Sequence, residues 1–170
     1  MRWTGALPIV AHDAVHTGAG KAPGIRAWQQ RARFEGPETT ADDLEDWRKK
    51  ERQWPGTGIA CGNIITIDAD FATDANLAET VTALAFEVLG PTPFLRQGQA
   101  PKVAAVYRAA EPVASISLKT ADGSGDGIDV LAEGRQFVAY GVHRKTLKPY
   151  TWIGAESPLT AGPEEAPEIT

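Results

Sequence analysis

The sequence predicts an α+β domain, and three observations carry that prediction. Short runs rich in β-branched residues recur between turn residues, from Leu7-Pro8-Ile9-Val10 to Tyr150-Thr151-Trp152. Two longer stretches have helical periodicity behind good N-caps. The chain has 170 residues, 42% hydrophobic and 23% charged, enough for one domain with its own core.

In chain order, residues 7–10 read as a short strand and 12–20 as a loop. Gly18-Ala19-Gly20-Lys21 lacks the G-x-x-x-x-G-K-[ST] spacing of a phosphate loop. Residues 22–34 are expected as a short helix, with Ile25, Trp28 and Ala32 on one face. Thr39 or Thr40, followed by Ala41-Asp42-Asp43, starts a helix running to about Arg52 and ended by Pro55-Gly56. Strands 57–61 and 64–70 come next in the central sheet, joined as a hairpin by Gly62-Asn63.

Thr73 or Asp74 caps a long helix that Gly90-Pro91 stops, with Leu77, Val81, Leu84, Ala85 and Val88 expected as its core face. Strands 94–96 and 103–108 flank a turn, and 116–119 is a further strand. After the flexible turn 122–127, residues 128–131 and 135–140 read as a second hairpin around Glu133-Gly134, before a last strand at 150–152. Residues 1–157 form the expected domain. Residues 158–170, rich in Pro, Gly, Ala and Glu, read as a linker toward a missing C-terminal region.

Composition excludes several classes. No apolar run reaches the length of a membrane span, and no secretory leader is expected. The single cysteine, Cys61, allows neither an internal disulfide nor a multi-cysteine zinc site, and fits a reducing cytoplasm. Its apolar surroundings predict a buried, inert thiol. A net charge of −5 does not advertise nucleic-acid binding, yet the basic residues cluster at Arg96, Lys102 and Arg108, and from Arg135 through His143, Arg144 and Lys145 to Lys148.

The chemistry centres on Ile64-Ile65-Thr66-Ile67-Asp68-Ala69-Asp70. Residues i and i+2 of a strand point the same way, so Asp68 and Asp70 project together from the end of a buried run. Two carboxylates that close repel, and a hard divalent cation, Mg²⁺ or Mn²⁺, resolves the conflict. The plainer reading is a strand that ends in a polar turn, with Asp70 capping the next element. Asp129, on the opposite face from Ile128 and Val130, adds a third carboxylate if its strand neighbours the first. Three acids are a ligand set for two ions in phosphoryl transfer. Arg96, Lys102, Arg135 and His143 supply the positive charge that a triphosphate needs.

The order of these motifs resembles the N-terminal domain family of bifunctional DNA primase/polymerases, in the archaeo-eukaryotic primase superfamily, found in plasmid, phage and prophage replication proteins. The resemblance spans residues 21–152. It rests on Lys21-x-Pro23…Trp28, Gly58-Ile59-Ala60-Cys61-Gly62 before Asp68-x-Asp70, the later acid Asp129, and the run from Gly134-Arg135 through His143 to Tyr150-Thr151-Trp152. It implies an RRM-like antiparallel sheet with flanking helices and a small N-terminal α/β lobe. By the same resemblance, Asp68, Asp70 and Asp129 are the catalytic, metal-binding acids for Mg²⁺ or Mn²⁺. Lys102, Arg96, His143 and Arg135 would bind nucleotide, and Lys21, Arg108 and Lys145 would bind DNA.

The family's second motif, Ser-x-His, is absent; the region reads Arg96-Gln97-Gly98-Gln99-Ala100-Pro101-Lys102, with Lys102 as the replacement cation. The implied activity is template-directed nucleotidyl transfer on a DNA template and primer with nucleoside triphosphates. A C-terminal helicase or helical priming domain is the implied companion in a longer chain. Two other readings stand beside it: a catalytically weak nucleotide- and DNA-binding module, and a different metal enzyme, a nuclease or a sugar-nucleotide transferase.

Overall fold

Each helix starts where the sequence supplies a side-chain acceptor. Thr40 caps α1 (Ala41–Arg48): its hydroxyl accepts from Asp43 N at 3.1 Å while Asp43 Oδ2 accepts from Thr40 N at 2.9 Å. Asp74 caps α2 (Ala75–Leu89) by accepting from Leu77 N at 2.9 Å. The computed structural model describes residues 3–15 and 17–170, and these are the two α-helices among them. The helix expected at 22–34 is reduced to a 3₁₀ turn at Trp28–Gln30, entered through Ala27 in the left-handed region at φ 52°. Ile25 and Trp28 still pack on buried Ala32, so the apolar face forms without the helix.

The first five strands are β1 (Ala6–Ile9), β2 (Gly56–Cys61), β3 (Ile64–Asp70), β4 (Leu95–Gln97) and β5 (Val103–Ala109). The rest are β6 (Ile116–Lys119), β7 (Gly127–Leu131), β8 (Arg135–Tyr140), β9 (Thr151–Trp152) and β10 (Glu168–Ile169). They form two sheets. The small one has the order β1-β2-β8; the large one runs β6-β7-β3-β5-β4-β9, with β10 added beside β5. The class is α+β, as the sequence predicts, and the small N-terminal sheet is completed by β8 from late in the chain.

Both expected hairpins are corrected. β2 pairs with β1 and β8, whereas β3 pairs with β5 and β7; Gly62-Asn63 hands the chain from one sheet to the other. The turn at Glu133-Gly134 does the same for β7 and β8. Residues 32–34 separate the two sheets at both crossings. Gly134 N donates to Ala32 O at 2.8 Å, Phe34 N donates to Glu133 Oε1 at 3.0 Å, and a Cβ on Gly62 would collide with Arg33 O. A turn dipeptide reverses a chain, but it does not decide whether the flanking strands pair with each other.

Two more expectations change. Residues 158–170 are packed: Pro163 and Ala166 are buried, Trp3 Nε1 donates to Ala161 O at 2.8 Å, and β10 runs parallel to β5. The small residues that suggested a linker let this segment lie close to an aromatic cluster. On α2, Ala78, Val81, Phe86 and Leu89 face the sheet, while Leu77, Leu84 and Val88 are exposed. That helix is apolar on most sides, so periodicity allows two registers and the sheet's shape selects one.

The large sheet therefore has two different faces. Ile65, Ala105 and Tyr107 pack toward Phe86 and Leu89 of α2. On the other side Ile64, Val106 and Phe94 meet Ile59, Cys61 and Phe137 of the small sheet, with Trp3 and Trp152 at the margin. Phe94 contacts both tryptophans edge-on, at 5.3 and 6.3 Å between centroids. Cys61 is fully buried, which pushes its thiol up to about 12 and makes it inert, as expected.

Candidate active site

Antiparallel register assembles the site. Asp68 of β3 lies directly opposite Asp129 of β7 on one side and Ala104 of β5 on the other. Ala104 in turn faces Arg96 of β4, and Asp129 faces Ser117 of β6. Ser117, Asp129, Asp68, Ala104 and Arg96 thus form one row across five strands, since directly paired residues share a face. The neighbouring row contains Lys119, Gly127 and Asp70. Lys102, one residue beyond the Ala69–Val103 pair, completes it. The three carboxylates share one face of the sheet.

Lysines already stand among them. Lys102 Nζ is 2.6 Å from Asp70 Oδ1, and Lys119 Nζ is 2.9 Å from Asp129 Oδ2 and 4.0 Å from Asp70 Oδ2. Ser117 Oγ also donates to Asp129. Among the described residues, no group of three or more His, Cys, Asp or Glu side chains is gathered closely enough to hold a metal ion. The donor set nonetheless fits a divalent cation chemically: hard carboxylate oxygens on adjacent strands, with cationic groups already in their midst.

The paired acids have opposite electrostatics. Burial pushes the Asp68 carboxyl above its ordinary value, Arg96 and Lys21 pull it down, and Asp70 and Asp129 add to the rise. For Asp129, desolvation is outweighed by the hydrogen bonds from Ser117 and Lys119 and the charges of Lys119 and Arg135, which hold it below the usual value.

A cleft of about 470 Å³ lies over Asp68 and Asp70 where the two sheets diverge. Its walls bring together Lys21, Arg96, Lys102, His143, Arg144 and Lys145. Six cationic or basic side chains around two acids reverse the sign of a chain whose net charge is −5. Arg96 is 7% exposed and lies over the Tyr150 ring at 4.8 Å, with no hydrogen bond at Nε. Burial and the charges of Lys21, Arg96, Lys102 and Lys145 lower the His143 pKa. Thr146 N donates to His143 Nδ1 at 3.3 Å, so the neutral ring carries its hydrogen on Nε2.

Of the ten expected site residues, seven line the cleft: Asp68, Asp70, Arg96, Lys102, His143, Lys21 and Lys145. Asp129 joins them through the acid row. Arg135 lies outside the cleft wall at the start of β8, within electrostatic reach of Asp129. Arg108 lies apart from the cleft. Its guanidinium is bound by Ala166 O at 3.1 Å and Glu168 Oε2 at 3.0 Å, fastening the C-terminal segment to β5 well away from the acids.

Sequence reasoning missed Lys119 and Gly127, whose role becomes visible only once β6 is registered against β7. It rejected a phosphate loop at 18–21 for lack of Walker spacing and expected nothing of Gly18 and Ala19, yet both line the cleft beside Lys21.

A sheet carrying an acid row beneath a basic cleft defines a class of protein built to hold phosphate groups beside carboxylates. The chain belongs to one such family: the model of the N-terminal domain of bifunctional DNA primase/polymerases matches residues 5–169. That is a family of primase/polymerase-like nucleotidyltransferases, acting on DNA and nucleotides and typically dependent on divalent metal ions. No curated protein was found to match the chain. No helix among the described residues is long and apolar enough to cross a membrane.

Proposed function

We propose that this domain is a template-directed DNA primase/polymerase that binds a nucleoside triphosphate in the cleft and joins it to a primer 3′-hydroxyl. The observation that carries the reading is Asp68 and Asp70 in the wall of a cleft lined by basic side chains, with Asp129 directly opposite Asp68 on the neighbouring strand. Asp68, Asp70 and Asp129 would hold Mg²⁺ or Mn²⁺, which when bound supplies Lewis-acid activation of the attacking and leaving oxygens.

The chain's own residues account for the rest. Lys102 exchanges its carboxylate partner for triphosphate oxygens, acting as a point charge where relatives use histidine. Arg96, held over Tyr150, offers a planar donor group that neither the ring nor Ala104 can satisfy. Neutral His143 donates from Nε2 rather than adding a full charge. Lys21 and Lys145 lie at the rim, where template or primer phosphates enter.

A second reading, a nucleotide-binding module with weak chemistry, is favoured by one observation: Asp70 and Asp129 are already paired with ammonium groups. Primer extension with labelled nucleotides, in Mg²⁺ and in Mn²⁺, separates the two. Asp68→Ala and Asp129→Ala should each lower incorporation on the order of 10³-fold while circular dichroism shows an intact fold. Incorporation at the wild-type rate in either variant would sink the assignment. Metal-dependent nucleotide binding without extension would favour the second reading, and loss of labelled DNA would point to a nuclease.

A further inference from the structure

Lys119 lies on β6, the edge strand of the large sheet, and no motif pointed to it. Its ammonium nevertheless reaches Asp129 on the neighbouring β7 at 2.9 Å and, across β7, approaches Asp70 to 4.0 Å. The residue it crosses is Gly127, its register partner. A Cβ there would collide with Leu118 O and come within 2.9 Å of Lys119 Cδ. The missing side chain at 127 is what gives Lys119 its lane to the acids.

Lys119 differs from the other cations of the site. Lys102 lines the cleft and faces the place where phosphates would lie, whereas Lys119 is not part of the cleft wall. Its described partners are the two carboxylates alone. The pair is also partly open to water, with side-chain exposures of 40% for Lys119 and 24% for Asp129. A contact of that kind is cheap to break, so the ammonium can leave when a better cation arrives.

We propose that Lys119 is a built-in counter-cation of the acid row that competes with a divalent ion for Asp70 and Asp129. This rests on the metal-binding reading given above. In the nucleotide-free protein Lys119 neutralises the acids and weakens ion binding. A triphosphate that arrives with its own ion brings both the ligand oxygens and the charge needed to displace the ammonium. Lys119 is in this sense a residue that sets metal demand and the order of binding, without touching the reacting atoms.

The test is a Mn²⁺ titration of the whole chain, followed by the electron paramagnetic resonance signal of unbound ion, with and without a non-hydrolysable deoxynucleoside triphosphate. Lys119→Met should bind Mn²⁺ about tenfold more tightly than wild type when no nucleotide is present, because a like charge beside the site has gone. Lys119→Arg, which keeps the charge, should stay within about threefold of wild type. With the triphosphate present, the gap between Lys119→Met and wild type should narrow. β6 already exposes Ile116 and Leu118, so Lys119→Gln provides the same loss of charge without adding another apolar side chain to that edge.

Equal Mn²⁺ affinity in wild type, Lys119→Met and Lys119→Gln, alongside weakened binding in Asp129→Asn, would overturn the inference and leave the metal reading standing. Absence of Mn²⁺ binding in every variant, with nucleotide present as well, would overturn the metal reading and the inference with it.

Discussion

The two ends of β3 share one face of one sheet and have opposite fates. At its start, Ile64 and Thr66 are closed between the sheets with Phe94, Val106 and Phe137. Two residues further on, Asp68 and Asp70 look into the cleft. β5 and β7 flank much of the strand, so lateral pairing does not make the difference. The small sheet does, by covering the first end and diverging from the second. The lesson is that a dry, tightly packed end can hold the register of a charged, open end of the same strand.

The largest expected effect comes from loosening the closed end. Phe94 is fully buried and edge-on to two tryptophans, so Phe94→Ala should cost about 3–5 kcal/mol in urea unfolding. A loss below about 1 kcal/mol would show that the aromatic cluster is not what holds the sheets together.

Next is a contrast within the charged end. The Asp68 pKa is raised by burial, so its ionised form weakens the fold as pH rises through the folded value. Asp68→Asn should therefore raise the melting temperature at pH 7. Asp129 has a depressed pKa, so its charge stabilises above the unfolded value and that contribution is lost as pH falls through the folded one. Asp129→Asn should lower the melting temperature, by no more than about 1 kcal/mol of stability given its exposure. Shifts of the same sign in a calorimetric scan would remove the distinction between the two acids.

His143 should give a smaller, pH-limited effect. Its folded pKa lies below 6.5, so no stability is lost above 6.5; as pH falls from there the unfolded chain takes up a proton first and the fold weakens. His143→Gln should flatten the melting temperature against pH in that acid range, and an unchanged slope would assign the sensitivity elsewhere. Least of all, Arg108→Ala should leave DNA affinity unchanged, because its guanidinium is committed to Ala166 and Glu168. Weakened DNA binding in a folded Arg108→Ala would instead support the DNA-binding role expected of it.

The lesson of the sequence lies in particular elements. Helix caps to within one residue (Thr39 or Thr40, Thr73 or Asp74), the β-branched run ending in Asp68-x-Asp70, and Asp129 in its short strand were all legible, because each is a property of a few adjacent residues. The resemblance to the primase/polymerase family was legible for the same reason, as an ordered series of local motifs. What stayed hidden was non-local. The two mistaken hairpins needed the contacts of residues 32–34 with Gly134 and Gly62. The exposed side of α2 depended on which of two apolar faces the sheet could receive.

The amino-acid sequence by itself determined most of the elements, the three acids and the stock of basic residues, since spacing, caps and β-branching act within a turn or a strand. Tertiary structure alone decided which strands are neighbours. That choice set Asp129 opposite Asp68, tied Arg108 into the packed C-terminal segment, and gave Lys119 its path over Gly127. Register between strands distant in sequence depends on packing and steric exclusion among many residues, and no local pattern encodes it.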